Sequence, residues 1–452
     1  MKLTFTCCLL LTAMVCSAQN VGIGTTLPNP SAQLDISSGT RGILIPRMST
    51  AVVSGIANPA KGLMVYDSTR NQLLVNMGTP AAPDWENIVA NSGWGLTGNS
   101  GINSDSQYIG TTDQASLVFG VSGVFAGYMG SSNNNNTSFG ISTAHGGPFA
   151  VNNTAIGAYA LSQASAGIEN TATGTFALSS NVGGDENSAF GTNALETNTA
   201  SRNSAFGNLA LYANNDGIEN TAVGYQALRD NVRGEDNTCV GANCLLITTN
   251  SYYNTVVGAF SAANFDNGYN NVFLGANNDV NGPGYYNVIA IGQGVICTAP
   301  SQARIGNSAT NSIGGYANWT NFSDGRYKKN MRENVKGIDF IMRLRPITYN
   351  LDLTGIERKL GTKRPKDAGS QQAIVDKEAM VFSGFAAQEV EQAAKDAGYE
   401  FSGVDKPKNA NDFYGLRYAD FVVPLVKAMQ EQQQMIKDLQ KEVAELKKQQ
   451  QH

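Results

Sequence analysis

NTAVGYQALRDNVRGED, residues 220–236, is followed at once by NTCVGANCLL from residue 237. The same asparagine-led core opens at Asn136, Asn153, Asn170, Asn187, Asn203, Asn254 and Asn271. Its closing glycines run from Gly140 to Gly275 in steps of 17 with one step of 16, and a degenerate tenth copy ends at Gly292. An Ala-Leu pair follows most of these glycines, as at Ala227–Leu228. A fixed short period is the mark of a solenoid. Seventeen residues cannot hold a helix pair, so the pattern predicts two short strands per coil joined by Asn/Gly turns. Ten coils stacked at the strand spacing make a roll about 45 Å long. Its expected core side chains include Val223 and Leu228. So thin a roll buries little, which favours lateral association of several chains. Asparagines repeated at one position can form a hydrogen-bonded ladder.

The chain around this repeat has 452 residues, 15% of them charged, with a net charge of -5. That length predicts several modules. Residues 323–452 hold 41 of the 67 charges, while 40 of the 49 glycines precede them, so a boundary lies near 322. The mild acidity offers no electrostatic footprint for nucleic acid. Only His145 and His452 are histidines, which removes most His-based catalysis and metal binding.

The repeat resembles the head of trimeric autotransporter adhesins, a parallel β-roll with three chains side by side, over roughly 136–310. The N-[ST]-x-x-G core and the Ala-Leu pair carry the likeness, although the period is longer than that family's usual one. Two other readings compete. A calcium roll needs aspartates at fixed positions, whereas these turns hold asparagine with occasional Asp185, Asp216 and Asp236. A glycan-cleaving solenoid needs clustered carboxylates, and Glu169 and Glu219 read instead as solvated turn acids. No cofactor and no metal are expected.

Residues 1–18, MKLTFTCCLLLTAMVCSA, have the charged start, short apolar run and small residues of a secretory signal peptide. Its removal leaves Cys239, Cys244 and Cys297, an odd number and no disulfide framework. Cys239 stands where Ala222 stands one coil earlier, and Cys244 begins its coil's Ala-Leu pair, so both are expected to pack as small apolar residues. Residues 19–130 read as a β-rich segment. Its VGIGT-x-x-P opening, LDI and GLMVYD resemble the start of secreted bacterial tail-fibre-like proteins. Trp85 and Trp94 are expected to pack.

After a linker at 311–322 the composition switches. SDGRYKKN occupies 323–330, IDFIMRLRPITY 338–349 and SGFAAQEVE 383–391. The stretch from Gly384 to Ala397 reads as helical. From Val422 a 4-3 spacing runs through Leu425, Met429, Gln432, Ile436, Leu439, Val443 and Leu446, which predicts a coiled coil over 422–452 with Gln432 setting register.

As a set, these motifs resemble the self-cleaving intramolecular chaperone of phage tail spikes and endosialidases. The resemblance implies a trimerising domain over 323–421 that helps a β-rich fibre fold and then cuts itself off at Phe322–Ser323. It implies Ser323 and Lys328 as the catalytic pair. Asp324, Arg326, Asn330, Gly384, Phe385, Gln388 and Glu391 belong to the supporting motifs. Met331 replaces the more usual Ile or Leu. The chemistry is coherent: a serine hydroxyl needs a base, and without a usable histidine a lysine amine can serve. That lysine must be neutral, through burial or through neighbouring charge from Lys329, Arg326 or Arg332. An extended chain would hold residues 323 and 328 about 16 Å apart. Either the chain turns at Gly325, or the lysine comes from a neighbouring subunit. The plainer reading makes the lysines solvated and Ser323–Asp324 a helix N-cap.

The expected architecture is mainly β: a roll of about ten 17-residue repeats over 131–310, then an α+β chaperone domain and a trimeric coiled coil. The expected function is a secreted, adhesin-like homotrimeric fibre with a single-turnover serine peptidase. A host surface, glycan or matrix is its further partner. The alternatives are a trimer whose C-terminal domain assembles without cutting, and a glycan-acting surface enzyme.

Overall fold

The computed structural model describes residues 20–88, 109–130, 134–143, 150–362 and 364–450. The expected signal peptide, Trp94 and both histidines lie outside them. The chain divides into two compact units, residues 1–109 and 110–452.

In the first unit, Val21–Ile23 pairs in parallel with Leu34–Ile36. A four-stranded sheet joins Arg47–Met48, Met64–Asp67, Gln72–Asn76 and Trp85–Asn87. Val53, Val65 and Leu74 form its core, with Met48, Ile56 and Trp85 packed against them. Trp85 is thus a packing residue.

The second unit opens on the hairpin Leu117–Val121 and Val124–Met129, whose second strand pairs antiparallel with Thr137–Phe139. From there every step of the sheet is parallel, through three-residue strands such as Thr154–Ile156 and Thr221–Val223 to Ala303–Ile305. The three residues after each core asparagine form one such strand. Side chains alternate across a strand, so Asn220 and Ala222 point inward and are fully buried. Val223 points outward and is 37% exposed, against the expectation that it fills the core. The core is instead Ala222, Ala227, Leu228 and their equivalents in neighbouring coils. Val223 belongs to an outer stripe with Phe190, Phe206, Val240, Val257 and Leu274.

Among the described residues a second strand forms where Asp230–Asn231 meets Ile247–Thr248 and where Asp279–Val280 meets Ile296–Cys297. Elsewhere that flank is a stack of turns, still bonded coil to coil, as from Leu211 N–H to the Ala227 carbonyl at 3.0 Å. The cause is local. Glu219, Gln226 and Leu228 all have left-handed φ, at 59°, 53° and 51°, and most coils repeat the arrangement. L-residues adopt that conformation at a cost, so full burial of the leucines and the stacked hydrogen bonds must outweigh it. The closing glycine has no substitute: at Gly224, φ is 137° and an added Cβ would meet the Gly241 carbonyl oxygen at 2.5 Å.

The asparagine ladder exists and is fully buried. Asn220 donates its backbone N–H to Asn203 Oδ1 at 3.0 Å and its amide to the Gly234 carbonyl at 2.7 Å. It accepts in turn from the backbone N–H of Asn237 at 3.1 Å. A second row runs through Asn198, Asn214 and Asn231, where Asn231 donates to Asn214 Oδ1 at 2.7 Å. Cys239 and Cys244 occupy the expected alanine places in the core and are joined to each other as a disulfide, a pairing the composition did not suggest. Cys297 is a buried free thiol. The turn acids serve the stack: Asp185 accepts from the Ile168 N–H at 2.9 Å, and Glu219 pairs with Arg202 at 2.7 Å.

Past the roll, Ile347–Tyr349 pairs antiparallel with Phe382–Gly384, and Val404–Asp405 with Gly415–Leu416. Helices Leu353–Leu360, Ala368–Ala379 and Ala387–Asp396 complete an α+β region around Phe340, Val390, Ala393, Ala394 and Phe421. The expected helix from Gly384 begins three residues later, because Phe382–Gly384 is a strand closely covered by the Tyr418 hydroxyl. The last helix, Val422–Gln449, is anchored at Glu431, whose carboxylate accepts from the Ile338 N–H at 2.8 Å. Its apolar seam, from Val422 through Leu439 to Leu446, is uncovered in the single chain.

Candidate functional site

The residues singled out near the module boundary lie on an exposed connector. From Asn311 to Asn334 every side chain is exposed, including Tyr316, Trp319, Phe322 and Tyr327. One structured element interrupts it, a 3-10 turn at Gly325–Tyr327. Asp324 caps this turn by accepting from the Arg326 N–H at 2.9 Å. A short polar residue ahead of a turn does this well, so Asp324 takes the N-cap role that the plainer reading gave to Ser323–Asp324.

That turn reverses the chain over five residues. Lys328 Nζ donates a hydrogen bond to Ser323 Oγ at 2.9 Å, within one protomer. Of the two geometries open to the spacing, the structure has the turn at Gly325 and needs no neighbouring subunit to bring the pair together. Both side chains are exposed. Arg326 forms a 2.6 Å ion pair with Asp324, whose carboxyl it holds below the usual carboxylate range. Its charge is therefore matched by Asp324, so it is no free cation beside Lys328. Asn330 has a left-handed φ of 54° and turns the chain again after the lysines.

The remaining motif residues are built into the folded module. Gly384 leaves room for the Tyr418 ring, and Phe385 stacks on Phe421 with centroids 5.4 Å apart. The Phe385 N–H donates to the Tyr418 hydroxyl at 3.3 Å. Glu391 accepts from Lys395 and Lys406, each at 2.8 Å, and from the Tyr414 hydroxyl at 2.9 Å. Those bonds hold its carboxyl at about 2. Gln388 lies exposed on its helix. Among the described residues no hydrogen bond or ion pair joins these groups to Ser323 or Lys328.

One polar cluster had no sequence signal. Asp412, in the loop before Tyr414, is 4% exposed and receives hydrogen bonds from Thr298 and Gln302 in the last coil of the roll. Glu357, also buried, receives one from Ser308 at 2.7 Å. An isolated aspartate in KNANDF carries no pattern that would mark it.

Two family models match the chain. One, described as a phage tail like trimerisation region, covers residues 22–105. The other, described as chaperone of endosialidase, covers residues 323–399 and so begins at Ser323. Together they support a tail-fibre-like protein with a C-terminal chaperone domain, and the first supports self-association as a homotrimer. No curated protein and no solved structure matches the chain.

Proposed function

We propose that the chain is a secreted, homotrimeric surface fibre whose C-terminal domain drives trimer folding and then cuts itself off at Phe322–Ser323. The observation that carries this reading is the 2.9 Å contact between Lys328 Nζ and Ser323 Oγ at the first residue of the matched chaperone region. In the reacting state the bond runs the other way, with the hydroxyl donating to a neutral amine. Ser323 Oγ then forms a bond to the Phe322 carbonyl carbon, and the bond from that carbon to the Ser323 nitrogen breaks. Lys328 passes the proton it has taken to the departing amine. Water hydrolyses the ester, leaving a carboxylate on Phe322 and a free hydroxyl on Ser323.

A lysine accepts a proton only when uncharged, and desolvation is the ordinary route to that state. Among the described residues nothing covers the pair. The same connector exposes Trp319, Phe322 and Tyr327, large side chains that water solvates poorly. Assembly that covers this run also dries the dyad, which makes cutting a consequence of correct trimerisation. The outer stripe of the roll and the seam of the last helix are the surfaces on which three chains meet. The turns of the roll remain outside, available to a host surface, glycan or matrix.

The exposure of the pair also favours a second reading, in which the domain assembles the trimer and never cuts. A denaturing gel of purified full-length chain separates the two. Self-cleavage yields a fragment of residues 323–452 that is lost in Ser323→Ala and in Lys328→Ala. Intact chain throughout favours the second reading. Co-expressing the two variants tests the origin of the base. Cleaved Lys328→Ala chains would mean that a neighbour's lysine acts; uncut chains fit the contact within one protomer.

A further inference from the structure

Cutting at Phe322–Ser323 severs an exposed connector, and the Lys328–Ser323 hydrogen bond stays within the downstream fragment. The C-terminal module touches the roll elsewhere. Its loop 408–412 lies against the last coil: Asn409 Nδ2 donates to the Thr298 carbonyl at 2.7 Å, and Lys408 Nζ to the Pro300 carbonyl at 3.4 Å. Asp412 is the hub. Thr298 Oγ1 and Gln302 Nε2 both donate to its carboxylate, the latter at 3.1 Å, and the Arg304 guanidinium stands 3.6 Å away. Burial pushes that carboxyl up, but the hydrogen bonds from Thr298, the Lys408 and Phe413 N–H groups and Gln302 outweigh it and hold it at about 2. A second contact lies alongside: Ser308 donates to Glu357, which Arg364 fixes at 3.1 Å, and Lys377 donates to the Thr310 carbonyl at 2.8 Å.

We infer that these two carboxylates form a latch that keeps the chaperone fragment seated on the end of the roll after the connector is cut. The partner of this surface is the last coil itself, residues 285–310. Its chemistry is complementary: the coil offers hydroxyl, amide and guanidinium donors, and the module offers two buried acids to receive them. The position also has a structural purpose. Ala303–Ile305 is the terminal strand of the long sheet, and a solenoid end needs a polar cap over its stacked core and open edge. Burying a carboxylate without partners is costly, so separation requires water to replace the roll-side donors to Asp412 and Glu357, namely Thr298, Gln302, Arg304 and Ser308. Such an interface is also polar enough to part without leaving a large apolar patch, unlike an obligate one. Three copies tied through their last helices would hold on together, each raising the effective concentration of the others.

The inference rests on the self-cleaving reading for its occasion, but its test does not. A recognition sequence for an added site-specific protease is placed between Asn321 and Phe322 of full-length chain carrying Ser323→Ala. After complete cutting, size-exclusion chromatography asks whether the two fragments travel together. The latch predicts co-elution. Asp412→Ala, from the module side, and Arg304→Ala, from the roll side, should each lower the co-eluting fraction, Asp412→Ala by about tenfold or more. Arg304 is partly exposed, so its substitution guards against a folding failure in the other variant. Separation of the fragments without any latch substitution would overturn the inference, as would undiminished co-elution in both variants. Failure of untouched chain to cut itself would count against the self-cleaving reading alone.

Discussion

Asn220 uses every hydrogen-bonding direction that its coil offers. Its side chain satisfies both the Gly234 carbonyl and the Asn237 N–H. Replacement by leucine keeps the bulk and strands both backbone groups in a dry core, at about 2–4 kcal/mol. A fall of that size in unfolding free energy, measured in denaturant, is the expected outcome; a loss under about 0.5 kcal/mol would mean that water or a neighbour replaces the amide. Asp279 is the opposite case. It is in ladder register with Ile296, at the place earlier coils give to leucine, and burial pushes its carboxyl up to about 6. Between about pH 4 and 6 the folded roll keeps a proton that the unfolded chain has released. The stability of this end is therefore greatest below pH 4, falls as pH rises, and bears the full penalty above 6. Asp279→Asn should remove that slope and stabilise the protein at pH 7 by up to about 3 kcal/mol, less whatever solvent relaxes. Thermal unfolding at pH 4 and pH 7 checks it, and an unchanged slope in the variant would contradict the assignment.

At the scale of elements, the period, the buried asparagines and the Ala-Leu core are all legible in the repeat, because each coil restates them. The inward and outward sense of the strand was harder to read. Val223 looks like core by type, yet the Asn220 ladder fixes the alternation and turns it outward. The left-handed corners are illegible for a different reason. Asn152 and Asn193 announce them, but Leu228 and Glu219 take the same conformation only because the stack around them demands it. The disulfide between Cys239 and Cys244 depends likewise on two alanine places that only folding brings together. The last helix carries a seam the spacing already displays, and in the single chain Leu439 is 59% exposed there. If three such helices close on one another, each buried leucine contributes about 2 kcal/mol. Leu439→Glu should then shift the sedimenting species from trimer towards monomer, while Lys441→Ala, off the seam, should not. Equal behaviour of the two variants would remove this helix from the assembly.

Across the whole molecule, chemistry and folding meet at the connector. SDGRYKKN points to a Ser323–Lys328 pair only through its likeness to a known chaperone domain, since spacing alone leaves two geometries open. The 3-10 turn at Gly325–Tyr327 brings the two side chains into contact within a single chain. The latch was unreadable, because it is made by isolated polar side chains far apart in the chain, Asp412 and Thr298 by 114 positions. Self-cleavage is tested most directly by the intact mass and N-terminal sequence of the C-terminal fragment from purified trimer. A fragment that begins at Ser323 and runs through His452 is the expected result, present in wild-type protein and missing from Ser323→Ala. A fragment with any other first residue, or the same fragment in Ser323→Ala, would contradict it.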